Sequence, residues 1–280
     1  MGGIMMKSSI IGLLSETSMH PGAESSTGII DLPVAREVST EYPVIVGSSL
    51  KGAFREGLEK RGEVKIADEV FGKANQVGDI AITDGRLLLL PVRTLIGHYK
   101  WVTCPYILER FSRDIKLAGY FVDGFKVPKL EQGKALYHGV EEEIFLEEIT
   151  FTRQENKETI GKVVEQIKPL ISHQSVKDRL LEQLVIVNDD DFNYYAKYGL
   201  EVRARNKLSS ETKTSDNLWY EECLPPDTLF YTLLICRTGK ETSLDQLVEI
   251  VTEKPYIQIG GNETIGQGWC ILSCWEEEKK

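Results

Sequence analysis

The chain has 280 residues, 41% hydrophobic and 27% charged, which suits one large domain or two small ones with a proper core. A formal net charge of −10 argues against a protein that coats nucleic acid nonspecifically, but leaves room for a basic stripe on an acidic body. Charge is uneven: residues 139–158 set Glu141, Glu142, Glu143, Glu147, Glu148, Glu155 and Glu158 against Arg153 and Lys157, whereas residues 93–116 set Arg93, Lys100, Arg110, Arg113 and Lys116 against Glu109 and Asp114.

Ser8–Leu14 reads as a strand. Its apolar part, Ile10–Leu14, is too short to span a membrane and no cleavage-site pattern follows it, so a soluble, intracellular protein is expected. Thr17–Glu37 is a loop rich in glycine and serine that carries His20 and Asp31. After a few extended residues, a strand at Pro43–Val46 turns through Gly47-Ser48-Ser49 into a helix over Ser49–Arg61. Lys51 stands at its opening and Arg55 one turn on. Such an opening presents backbone N–H groups and a positive helix end, with phosphate the usual anion, so Ser48, Ser49, Lys51 and Arg55 are candidate phosphate contacts.

Further strands are expected at Asp79–Leu89, Leu184–Val187, Leu229–Cys236 and Trp269–Trp275, and helices at Pro105–Leu117, Thr159–Ile171, Val176–Leu184 and Ser243–Glu253. Ser243 and Gln246 have the spacing of a capping box. Strands from both ends flanking helices indicate an α+β fold, with an antiparallel sheet covered on one side. No repeat of solenoid length is visible. The polar segment 188–214 fits no compact core. Leu200, Val202 and Ala204 alternate there with Glu201, Arg203 and Arg205, the period of a strand, so a projecting hairpin arm explains it better than a long structureless loop. Arg203, Arg205 and Lys207 could follow a phosphate backbone, although a solvated surface hairpin has the same pattern. In Asp189-Asp190-Asp191, three consecutive acids cannot converge on one ion from regular structure; Asp189 or Asp190 capping a turn at Phe192–Tyr198 is expected instead. Tyr194 and Tyr195 suit base stacking or core packing equally.

The loop Gly260–Gly268 is dense in glycine. Gln267-Gly268 stand where a P-loop needs lysine followed by serine or threonine, and the dinucleotide fingerprint is absent, which removes the usual nucleotide-binding readings. Gly260, Gly261, Gly266 and Gly268 remain candidates for close backbone approach to a ligand, or for a plain tight turn. The five cysteines contain no C-x-x-C pair. Cys270 and Cys274, on one face of a strand roughly 13 Å apart, are too distant to share a zinc ion. Reduced, mostly buried thiols in a cytoplasmic protein are expected.

Several blocks together resemble the RAMP superfamily of CRISPR-associated proteins: His20-Pro-Gly22, Ile30-Asp-Leu-Pro-Val-Ala-Arg36, Pro43-Val-Ile-Val-Gly-Ser-Ser-Leu-Lys-Gly52, Leu90-Pro-Val-Arg-Thr-Leu-Ile-Gly97, Trp101-Val-Thr-Cys-Pro105, Trp219-Tyr-Glu-Glu-Cys-Leu-Pro225 and the Gly260–Gly268 loop. They keep their order over nearly the whole chain and most resemble the repeated backbone subunit of the type III-B (Cmr) RNA-guided effector complex. The resemblance implies a single domain over 1–280, a modified RRM-like (ferredoxin-like) palm with a thumb hairpin inserted at about 188–214. It further implies stacking into a helical filament along a CRISPR RNA, with other Cmr subunits as partners and no membrane. In such complexes this subunit cuts the paired target RNA at regular intervals with a divalent metal, Mg²⁺ or Mn²⁺, and Asp31 matches the cleaving aspartate.

The chemistry is attack of a 2′-hydroxyl on the next phosphate, leaving a 2′,3′-cyclic phosphate. Asp31 is a candidate base or metal ligand, and His20 a candidate acid. Of Glu221 and Glu222, which face opposite ways on a strand, at most one can reach the site; Glu221 is taken as the candidate. The alternative is a purely structural guide-binding filament subunit. The guide-processing endonuclease of the superfamily is disfavoured by the Trp-Val-Thr-Cys-Pro block and the arm.

Overall fold

In the computed structural model, which describes residues 7–23, 28–120, 129–154, 156–209 and 211–275, the strand Ser8–Ser15 is buried from Ser9 onward. A strand without an exposed face belongs in the middle of a sheet covered on both sides. Accordingly it pairs antiparallel with Leu229–Cys236 on one edge and Trp269–Cys274 on the other. Leu229–Cys236 in turn pairs with Gly85–Arg93 and Ile80–Ile82. Helix Gly47–Lys60 connects the first of these strands to the second, and helix Glu241–Glu253 the third to the fourth. Their spatial order is fourth, first, third, second, which is the ferredoxin-like palm.

Between the second and third palm strands lies a large insertion. Gly85–Arg93 turns into Tyr99–Thr103, and Leu184–Val187, Lys134–Tyr137, Ile149–Arg153 and Glu143–Leu146 extend the sheet from there. Two of these pairings are parallel, so the sheet is mixed where the sequence suggested antiparallel throughout. The crossover that a parallel pair needs is supplied by helical segments of the insertion, including Pro105–Leu117 and Gln174–Gln183.

Nor is the palm covered on one side only. Helices Gly47–Lys60, Val64–Phe71 and Glu241–Glu253 pack together over one face. On the other, Gly12, Tyr231 and Ser273 are cross-strand partners that meet the insertion. The Tyr231 ring lies edge-on to Phe111 at 4.9 Å, and Ser273 Oγ donates to Pro169 O at 3.0 Å. A Cβ on Gly12 would sit 2.2 Å from Leu170 O, so only glycine permits this approach.

Other differences from the sequence reading have local causes. The run Asp79–Leu89 breaks at Thr83-Asp84, where Asp84 Oδ1 accepts from Gly47 N at 2.7 Å. That distant cap starts the helix at Gly47, two residues early. The capping box does not form. Ser243 lies inside the helix and donates to Asp79 Oδ2 at 2.8 Å. The expected helix over Thr159–Ile171 is the helix Lys157–Ile167 followed by a 3₁₀ turn, Lys168–Leu170, at Pro169, whose ring and missing N–H interrupt the α pattern.

The segment expected to form the arm divides. Asn188 Oδ1 caps a helix over Asp189–Tyr198 by accepting from Asp191 N at 2.8 Å, and that helix buries Phe192, Tyr195 and Ala196. The cap is therefore Asn188, because its side chain reaches back over the first turn. Asp189 Oδ1 instead accepts from Tyr106 N at 2.9 Å, at the start of Pro105–Leu117. The hairpin itself pairs Glu201–Leu208 with Ser215–Cys223. Among the described residues no helix is long and apolar enough to cross a membrane.

Candidate functional site

Strand Ser215–Cys223 of the arm has two edges. One is paired within the hairpin. The other, at the arm's base, receives the Asp31 segment as a short parallel strand: Leu32 N donates to Tyr220 O at 3.0 Å and Glu222 N to Leu32 O at 2.9 Å. Asp31 is half-buried, and its Oδ2 accepts from Tyr220 N at 2.8 Å. Among the described residues no cation lies within ion-pair distance of that carboxylate. The His20 loop flanks the far side of the same segment, with Ala35 N donating to Pro21 O at 2.8 Å and Ala23 N to Pro33 O at 3.1 Å. Residues 24–27 of that loop lie outside the described residues.

His20 is buried, and its Nδ1 donates to Glu222 O at 2.8 Å. A carbonyl can only accept, so Nδ1 carries a proton and a neutral ring keeps its lone pair at Nε2. Glu221 and Glu222 face opposite ways, as a strand requires, and both are almost fully buried, at 2% and 3% exposure. Each is compensated separately. Glu222 Oε2 accepts from Val34 N at 3.0 Å and Oε1 from Arg36 Nη2 at 2.6 Å. Glu221 Oε1 accepts from Asn262 Nδ2, with Arg205 Nε at 3.9 Å from Oε2. Buried carboxylates keep their charge only with such partners. Cys223 Sγ donates to Glu221 Oε1 at 3.6 Å, and burial, reinforced by that carboxylate, pushes the thiol up to about 12.

The glycine-rich loop closes the arrangement. Gly261 N donates to His20 O at 3.1 Å and Gly268 N to Ser18 O at 2.9 Å. Gly260 has φ +85°, and a Cβ there would fall 2.4 Å from His20 O. The close approach made by Gly260 and Gly261 is thus to the protein's own His20 loop, and Gly268 likewise packs against Ile259 O; Gly266 has open space beside it. Arg203 Nη2 donates to Ser18 Oγ at 3.0 Å and to Glu201 at 2.7 Å, and Arg205 Nη2 donates to Asn262 Oδ1 at 3.4 Å. Glu201 holds the Arg203 charge above its usual range through that hydrogen bond. Both arginines therefore brace the arm's root, while Lys207 is exposed further out. Val202, Ala204, Leu218 and Tyr220 form the exposed opposite face. Leu200 does not belong to it, being buried at the root.

At the helix opening, Lys51, Ser48 and Ser49 are exposed. The expected free amides are partly spent: Gly47 N is taken by Asp84, and Ser49 N donates to Val46 O at 2.9 Å. Arg55, a candidate phosphate contact, is instead engaged within the protein. Its guanidinium donates to Gly72 O at 2.6 Å, Ala67 O at 3.2 Å and Asp68, which fastens the next helix. Beside the opening lies a cleft of about 460 Å³, lined by Arg36, Val46, Asp84, Arg86, Tyr106 and Arg110. Burial works against the Arg110 charge, but its bond to Glu37 at 2.6 Å keeps the guanidinium above its ordinary range. Sequence reasoning missed this cleft and the part played by Arg36; the basic bias of residues 93–116 was the one available signal.

Among the described residues no three His, Cys, Asp or Glu side chains gather to hold a metal. A cation held by Asp31 with its remaining positions filled by water or phosphate oxygens would be an arrangement suited to Mg²⁺.

The model of the RAMP superfamily matches residues 13–271. The Cmr endoribonuclease Cmr4 of Pyrococcus furiosus is 36% identical over 287 aligned positions, with 97% of each chain covered. The crystal structure of oligomeric Cmr4 from Pyrococcus furiosus superposes with a TM-score of 0.80 at 31% identity, covering 98% of this chain and 100% of that one. A chain of the type III-B Cmr-beta complex bound to cognate target RNA shares the fold, with a TM-score of 0.78 at 20% identity over 97% of this chain and 98% of that one.

Proposed function

Because the chain belongs to the RAMP superfamily, we propose that it is the guide-binding, target-cutting backbone subunit of a type III-B CRISPR effector, with Asp31 carrying the cut. The observation behind this assignment is the place of Asp31: a half-buried carboxylate that has no cation partner among the described residues, held by one oxygen at the root of a projecting arm. A structural spine has no need of a carboxylate beside an RNA backbone.

The reaction we assign to that placement is cleavage of the RNA by its own 2′-hydroxyl. A 2′-hydroxyl loses its proton and forms a bond to the adjacent phosphorus; the bond to the 5′ oxygen breaks, and that oxygen is protonated. The products are a 2′,3′-cyclic phosphate and a 5′-hydroxyl. Asp31 takes the proton or holds the metal, and the arm brings the hydroxyl into line. Bound Mg²⁺ or Mn²⁺ would supply charge neutralisation at the phosphate. His20 and Glu221 act by position, since both are buried and tied to the strand Ser215–Cys223 or the glycine-rich loop. Lys51 and Ser48 at the helix opening meet guide phosphates, and Lys207 meets the duplex beside the arm. Stacked copies extend this surface along the guide, in company with other effector subunits.

The test offers the assembled complex two RNAs, guide-paired target and unprocessed repeat. Regularly spaced cuts in the target alone support the proposal. Cuts in the repeat would make the chain a guide-processing nuclease, and cuts in neither would make it a structural spine.

A further inference from the structure

Glu222 grips the Asp31 segment at every second residue. Its N–H donates to Leu32 O at 2.9 Å, its Oε2 accepts from Val34 N at 3.0 Å, and its Oε1 accepts from Arg36 Nη2 at 2.6 Å. Arg36 then ties this unit to the body. Its Nη1 donates to Ala196 O at 2.7 Å, in the last turn of helix Asp189–Tyr198, and to Glu41 O at 2.8 Å. A guanidinium suits a helix C-terminus, and its planar fork serves three acceptors that a lysine could not reach together. Glu222 is 3% exposed, so losing its cation would strand a buried charge and release the segment.

We infer that Arg36 and Glu222 are a positioning pair that locks the Asp31 segment to the arm, so that carboxylate and arm move as one body and the cut is placed relative to the arm. This rests on the reading that Asp31 carries cleavage. Neither residue touches the reacting atoms; both act through Asp31. Without the pair, the segment keeps the backbone bonds of Leu32 to the arm and those of Pro33 and Ala35 to the His20 loop, with the Asp31 bond to Tyr220 N. It loses the side-chain tie that fixes it to both the arm and the body, which loosens the carboxylate's placement against the phosphodiester.

The experiment uses the complete guide-loaded effector with Arg36→Ala, Arg36→Lys, Glu222→Gln or Asp31→Asn, and follows single-turnover cleavage, cut position and target affinity. Arg36→Ala and Glu222→Gln are expected to keep wild-type target affinity while the rate falls on the order of tenfold to a hundredfold, the penalty for about 1 Å of misplacement. Their cuts should spread to neighbouring linkages. Arg36→Lys should recover part of the rate, because it restores the charge without the fork. Asp31→Asn should not cut. If Arg36→Ala does not assemble, Glu222→Gln decides the matter, since it preserves the side chain's shape and an acceptor for Val34 N–H. Wild-type rate and cut positions in either variant, with Asp31→Asn inactive, would overturn the positioning pair alone. So would parallel losses of affinity and rate, which mark a purely structural role. Full activity in Asp31→Asn would instead overturn the reading beneath it.

Discussion

Glu221 and Glu222 are neighbours in sequence with separate duties, because a strand sends consecutive side chains to opposite faces. One is directed at the glycine-rich loop through Asn262, the other at the Asp31 segment through Val34 and Arg36. Two buried thiols, Cys223 beside Glu221 and Cys270 on strand Trp269–Cys274, carry a pH signature. The thiols of Cys223 and Cys270 are pushed up to about 12, chiefly by burial, from an ordinary 9.0. An acid whose folded pKa is raised favours the fold while neutral. That contribution is whole below the ordinary thiol value and is lost as pH rises from about 9 towards about 12. Thermal melts should therefore fall steeply above pH 9, and Cys223→Ala with Cys270→Ala should flatten the fall; an unchanged slope would contradict the assignment. Iodoacetamide at pH 8 should spare both residues in the native protein.

On the proposed function, the arm is the element that places the cut. Replacing its outer part, residues 207–217, by a tight turn should leave a folded, guide-binding protein that cuts target poorly or without regular spacing. Unaltered cut positions in that variant would reduce the arm to a surface hairpin. At the helix opening, Lys51→Ala should weaken guide binding for all sequences alike and lower its salt slope by about 1, and an unchanged slope would place Lys51 away from the RNA. Strand Leu229–Cys236 and helix Pro105–Leu117 were legible in the sequence to the residue, one as an unbroken apolar run and the other through proline at its start. The arm's limits were not. Acids at the front of Asp189–Tyr198 hid a helix whose buried face is only Phe192, Tyr195 and Ala196 beside Asp191, and the partner strand of the hairpin lay beyond the expected boundary. Asp31 and His20 stood out as loop residues in recognisable blocks. The partners Arg36, Asn262 and Asp84 did not, because each acts on a residue far away in sequence and local pattern carries no trace of such contacts.

Over the whole molecule, the palm and its insertion share one core, since the sheet continues from Gly85–Arg93 into Tyr99–Thr103 and both faces of the palm are covered. At Gly12 the two come into close contact. Gly12→Ala should destabilise the protein by about 1–3 kcal/mol through overpacking against Leu170, read as a lowered melting temperature; an unchanged midpoint would mean that the insertion can yield there. The same contiguity gives the arm a firm base. Its root is tied to the Asp31 segment, the His20 loop and the glycine-rich loop, so on the proposed function a duplex lying along the arm would meet Asp31 at a fixed offset. The most direct measurement of this account is cleavage of guide-paired target RNA by the assembled effector carrying Asp31→Asn, a substitution that preserves shape and removes the charge. The account predicts normal assembly and target binding with no regularly spaced products; the same products at a rate near wild type would contradict it.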